Sequence, residues 1–259
     1  MVNRLVRFVW QRRHYEVIHI SLVFLVSVLA MVVVVFPPLR KPVNTTLPIP
    51  YYSIVNTLLV SLSLWLLYYY LFLRLVGKDP TLPLTKKISY VKALFLSSLW
   101  VGWMGEAIHF TADTIGNFMK PNPADPAWRL TYFLDEILGH ILAYFAVFVM
   151  GILGVMLEMQ HKSSPIGKKG VIALGLIGML TGMGWAVALI EGKAARTFLP
   201  LMIIFSGAVL LWASLRDESL KEKPWSLFFV IVNMVALILT LGWGMYWGKF
   251  VQFSELGLI

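Results

Sequence analysis

The chain has 259 residues, of which 59% are hydrophobic and 14% charged, and it carries a net charge of +9. That balance belongs to integral membrane proteins rather than to soluble or disordered chains. There is no cysteine, which excludes disulfides, thiolate metal sites and cysteine nucleophiles. The basic residues fall in short breaks between apolar segments, the usual topology signal of a membrane protein, so no nucleic-acid partner is expected.

A membrane-spanning helix needs about 20 apolar residues at about 1.5 Å each. Seven segments meet this: residues 15–36, 51–75, 89–118, 129–159, 171–190, 198–215 and 225–247. Proline-rich or charged stretches separate them, such as Pro37-Pro38, Asp79-Pro80, 121–126, 162–169, 193–196 and 217–224. The first apolar run is too long for a signal peptide and lacks a small-residue cleavage site, so it reads as a retained helix. The fold expected is an all-α integral membrane protein, a seven-transmembrane-helix bundle, with one transmembrane domain over 1–259 and no separate soluble domain.

Lysine and arginine set the orientation. Fourteen lie at the N-terminus and in the second, fourth and sixth loops, and seven lie on the other side. The N-terminus is therefore expected in the cytoplasm and the C-terminus outside, with the protein multi-pass in the cell membrane. Asn44-Thr45-Thr46 then falls in an outer loop as a weak glycosylation signal.

The feature that points to function is a group of ionisable residues inside two spans. Glu106, His109 and Asp113 lie near the end of the third, and Asp135, Glu136 and His140 near the start of the fourth. A charge at the bilayer centre costs at least about 2.5–3.5 kcal/mol, so such residues face a partner, a metal or water. At about 100° per residue, Glu106, His109 and Asp113 share one stripe with Gly102, and Glu136 shares a face with His140. Asp135 points about 100° away from Glu136 and is expected to serve another neighbour. The two spans are consecutive and antiparallel, which brings His109 and His140 to equal depth, with Asp113 and Glu136 nearer the surface. Gly102 and Gly139 are expected to let these backbones approach. Glu191 ends the fifth span on the same side, while Glu16 and His19 lie at the other, where no comparable group is expected within the membrane.

Two imidazoles and several carboxylates suit zinc, manganese or iron, with Glu106, His109, Glu136 and His140 as metal ligands and Asp113 or Asp135 as ligand or catalytic base. Glu106-x-x-His109 has the spacing of carboxylate-bridged di-metal bundles, but the second pair is Glu136-x-x-x-His140, so that match is partial. The leading expectation is a metal-dependent membrane hydrolase or oxidoreductase acting on a lipid or hydrophobic substrate. A second reading makes His109 and His140 the cofactor-binding ligands of a haem, or part of a quinol or proton site, in a respiratory membrane complex. A metal-free acid–base site, and a structural subunit or assembly factor whose polar residues hold helices together, also stay open. The last span contains no lysine and no histidine, which argues against a retinal protein and against a hydrolase with its histidines there.

Overall fold

The computed structural model describes residues 20–22, 25–26, 41, 49–76, 86–159 and 166–257. Most of the expected first span, together with Glu16, His19 and Asn44-Thr45-Thr46, lies outside them. The described residues form an all-helical bundle with six helical rods. The first rod joins α1 (Tyr51–Ile54), a π-helical segment (Val55–Ser61) and α2 (Leu62–Val76). The second is α3 (Lys86–Gly116). The third joins α4 (Pro126–Tyr132), a second π-helical segment (Phe133–Gly139) and α5 (His140–Met159). The last three are α6 (Lys168–Glu191), α7 (Ala195–Leu215) and α8 (Pro224–Trp247).

Four rods are long and apolar enough to cross a membrane: the third, with 34 residues, and α6, α7 and α8. Helix α3 is long enough at 31 residues, but Glu106, His109, Asp113 and its serines and tryptophans dilute its apolar character. The protein is thus an all-α membrane protein with four candidate spans among the described residues.

Local chemistry sets several boundaries. Asp125 caps α4 by accepting from the Ala127 N–H at 2.8 Å, and Pro126 occupies the first helical position, where no N–H is needed. Pro224 opens α8 in the same way. That helix ends at Gly248, whose φ of 68° is left-handed and suits glycine.

Two apolar cores hold the rods together. One joins α5, α6, α7 and α8 through Phe148, Leu174, Leu189, Phe198, Trp225 and Phe229. The other joins α2, α3 and α5 through Trp65, Phe72, Phe95, Met150 and Leu153, with the Phe72 and Phe95 rings stacked at 4.0 Å. Helices α6 and α8 meet at glycine. A Cβ on Gly182 would fall 2.7 Å from Val235 Cβ and 2.8 Å from the Val232 carbonyl oxygen.

The end of the bundle away from the cluster holds a buried charged group that the sequence reading did not expect. Glu158 and Lys223 are each 1% exposed. The Glu158 carboxylate accepts from the backbone N–H of Trp225 (3.0 Å) and Ser226 (2.7 Å) and from the Ser226 hydroxyl (2.8 Å). Lys223 Nζ donates to the Glu158 carbonyl at 3.1 Å and pairs with Glu218 at 3.2 Å. Glu158 therefore caps α8 from another helix, supplying negative charge to its N-terminus. A span-by-span reading cannot see this, because the partners lie about 65 residues away in sequence.

Candidate functional site

The site is built where α3 crosses the third rod. A Cβ on Gly105 would lie 2.6 Å from Ala143 N, and one on Gly139 would lie 2.8 Å from His109 Cβ and 2.9 Å from His109 N. The backbones therefore touch at Gly105 and Gly139. Gly102, expected at this crossing, instead faces the first rod, where its missing Cβ admits the Trp65 ring at 2.3 Å. The stripe carrying Gly102 is about 60° from that of Gly105, enough to turn it to a different neighbour.

This close crossing brings the histidines together. The His109 and His140 rings lie 4.3 Å apart between centroids, at 45°. His109 Nδ1 stands 2.6 Å from Asp135 Oδ1, an ion-pair contact, and neither atom meets hydrogen-bond geometry with any described residue. Two bare acceptors would repel at that distance, so at least one of the two groups carries a proton. Asp135 is thus drawn to His109 rather than sharing a face with Glu136 and His140. Asp135 and Glu136, adjacent in the π-helical segment, thus serve different partners.

His140 Nδ1 lies 3.2 Å from the Glu136 carbonyl oxygen. A carbonyl only accepts, so Nδ1 carries a proton, and in the neutral ring Nε2 keeps its lone pair. Gly192 packs against this ring, since a Cβ there would fall 2.8 Å from His140 Cγ. Tyr144, whose ring lies 5.4 Å from that of His140, donates its hydroxyl to the Ala188 carbonyl at 3.0 Å. Glu106 is half-buried and makes no hydrogen bond to any described residue.

The remaining predicted residues have partners that the sequence did not reveal. Tyr52 donates its hydroxyl to Asp113 Oδ2 at 2.5 Å, tying the first rod to the cluster. Gln252, 4% exposed, donates its side-chain amide to Glu136 Oε2 at 3.2 Å and to the Glu191 carbonyl. The Glu191 carboxylate accepts from the Phe253 N–H at 2.8 Å, so it holds the C-terminal segment instead of joining the histidines.

That segment folds back from Gly248 as a strap across this end of the bundle. Trp243 Nε1 donates to the Val251 carbonyl at 2.8 Å, and the Trp243 and Phe253 rings lie 4.5 Å apart. Lys193 bonds the Tyr132 hydroxyl and pairs with Glu255 at 3.5 Å. Burial alone would lower the Lys193 pKa, but Tyr132 and Glu255 outweigh it and raise it, which keeps the ammonium charged.

The arrangement allows proton transfer between paired groups. Among the described residues no three His, Asp or Glu side chains converge closely enough to hold a metal ion. Rings 4.3 Å apart leave no space for a macrocycle between them, so His109 and His140 do not fit as the two axial ligands of one haem. No family model, curated protein or solved structure matches the chain, so its function rests on this geometry.

Proposed function

We propose that the protein is an integral membrane enzyme with an intramembrane acid–base site, acting on a lipid or other hydrophobic substrate. The observation that supports this most is the His109–Asp135 pair at 2.6 Å inside a helical bundle. A carboxylate on Nδ1 fixes the imidazole tautomer and orientation, leaving Nε2 to accept and return a proton. Asp135 is the positioning partner, His109 the proton-transfer group, and His140 a second imidazole in contact with it. Glu106, without a hydrogen bond among the described residues, is the acceptor that completes a relay. Glu136 and Asp113 are held by Gln252 and Tyr52 at the edge of the group.

We further read seven spans with a cytoplasmic N-terminus, from the loop charges. The cluster then opens towards the outer side of the cell membrane.

A metal enzyme is the second reading. It is favoured by one observation: both Nδ1 atoms face oxygen acceptors, as the outer nitrogens of metal-bound histidines do. His109 and His140 would then offer Nε2, and Glu106 or Glu136 would have to move towards them to complete the ligand set, since no three such groups converge among the described residues; the metal would supply Lewis acidity.

The protein has five histidines, few enough for nitrogen-15 spectra of histidine-labelled protein in lipid discs. The acid–base reading expects one imidazole to change protonation between about pH 5 and about pH 9, and Asp135→Asn to alter its tautomer signal. Histidine signals that never titrate and ignore Asp135→Asn would overturn it. Stoichiometric zinc, manganese or iron, lost in both His109→Ala and His140→Ala, would establish the metal reading instead.

A further inference from the structure

The cluster is covered at its end by the strap, so the route to it matters. Gln252 and Val251 are 4% and 6% exposed, and the bonds of Gln252, Phe253 and Glu255 to Glu136, Glu191 and Lys193 tie the strap across this end. On the side of the bundle, a groove of about 230 Å³ runs between α2 and α3. Its walls include Trp65, Leu66, Tyr69, Leu99, Trp100 and Trp103. Leu66 and Trp100 are 57% and 62% exposed, so the groove opens sideways, where a surrounding bilayer would put hydrocarbon.

The groove leads towards the cluster. Leu99, Trp103 and Glu106 are spaced at positions i, i+4 and i+7, along one face of α3. The antiparallel packing that sets Phe72 against Phe95, Trp65 against Gly102 and Tyr52 against Asp113 carries the same inter-helix seam from the groove to the ionisable residues. From Leu96 to Trp103 the groove follows α3 for about 10 Å at 1.5 Å per residue. Trp65, in the wall of the groove, carries an unsatisfied donor. It is 5% exposed, and its indole N–H has no acceptor among the described residues. Such an orphan donor is costly unless something satisfies it.

We propose that this groove receives the hydrocarbon chain of a lipid, whose oxygen-bearing head lies towards Glu106 and His109. The lipid enters laterally from the membrane instead of through the strap. A wall of Leu, Trp and Tyr selects a chain, and the orphan indole N–H and the ionisable end of the seam select a head with a hydroxyl, ester or carboxyl oxygen. The assignment of the head rests on the acid–base reading of the cluster; the chain site does not.

The test uses the full chain in phosphatidylcholine vesicles containing a small fraction of a fatty acid with a mid-chain diazirine. After illumination, cross-links are mapped by peptide mass spectrometry. Peptides holding residues 62–69 and 96–103 are expected to carry about five-fold more label than the exposed α6 face around Ile172 and Met179, equivalent to about 1 kcal/mol of preference. Unlabelled fatty acid should compete this excess away. Leu99→Trp, which fills the groove, should remove it while leaving the α6 label unchanged, and the rim variant Trp100→Ala repeats the test without crowding a buried position. Equal labelling of both faces, or label in the groove that ignores both variants, overturns the proposal. Label concentrated on 249–257 overturns lateral entry. Groove labelling with histidines that never titrate would keep the chain site and discard the acid–base reading.

Discussion

The Glu158 cap gives the sharpest stability prediction. Replacing Glu158 with alanine removes a carboxylate that is 1% exposed and accepts three hydrogen bonds, two from the first turn of α8. The Trp225 and Ser226 N–H groups would then be buried without that acceptor, and the adjacent Lys223 ammonium would keep only part of its negative surroundings. Hydrogen bonds to a charged group contribute about 1.5–3 kcal/mol each, but bonds sharing one carboxylate do not add. Breaking a buried charged group from one side costs about 3–5 kcal/mol, which is the figure expected here. Ser226→Ala, which loses one hydroxyl donor, should cost about 1 kcal/mol. Glu158→Gln should fall between the two, because its amide retains one acceptor but turns a donor towards an N–H. The assay is reversible unfolding in mixed micelles followed by tryptophan fluorescence, to which Trp225 contributes as one of ten tryptophans. A Glu158→Ala protein within about 1 kcal/mol of the parent would refute the reasoning, since the buried carboxylate would then not be holding α8.

Four further outcomes are expected. Gly139→Ala places a methyl 2.8 Å from His109 Cβ, so the two rods must part, at a cost of about 1–3 kcal/mol, and the His109 nitrogen signal should shift. Tyr52→Phe removes the Asp113 hydrogen bond and should destabilise by about 1.5–3 kcal/mol if Asp113 is ionised, or about 1 kcal/mol if it is neutral, measured by the same unfolding assay. Gln252→Ala frees the strap, and limited proteolysis beyond Gly248 should accelerate by about ten-fold, corresponding to about 1.4 kcal/mol. Lys193→Met should change stability by less than about 1 kcal/mol, because its pairing with Glu255 is solvent-exposed; a larger loss would show that the Tyr132 contact anchors the strap.

The helical rods were largely legible in the sequence. The expected stretches 51–75, 129–159 and 225–247 became helical runs ending at Val76, Met159 and Trp247, because prolines and charges punctuate them where an apolar helix must stop. The meeting of His109 and His140 was legible too, since two antiparallel helices with a short connection fix relative depth. What escaped the sequence was which neighbour each helical face meets, and the partners that lie far away in the chain. A constant 100° turn assigned Gly102 to the crossing that Gly105 occupies. Asp135 could be excluded from the Glu136 face by the same arithmetic, but that arithmetic does not say that the neighbour it meets is His109. Gln252 gave no signal, because one glutamine beyond a last span resembles any polar tail. Glu158 resembled an ordinary helix-end carboxylate until α8 placed its first N–H groups against it.

The two π-helical segments carry a consequence for sequence change in this protein. Val55–Ser61 and Phe133–Gly139 both pack against α3, the first through the rod that holds Tyr52 and the second through the rod that holds Asp135. A π turn accommodates one residue more than an α turn, so each segment stores a residue that an α-helix would not hold. Deleting one residue from Phe133–Gly139 would let the rod relax to a regular helix of almost the same length. The chain would still fold through its apolar faces, because the flanking turns would keep their phase, while the side chains inside the segment, Asp135 among them, would be re-aimed. Asp135 would leave His109 while His140 stayed in place. These segments therefore make the chemistry of the bundle separable from its architecture: a single-residue length change is a lesion to the site that the packing of α5 can survive.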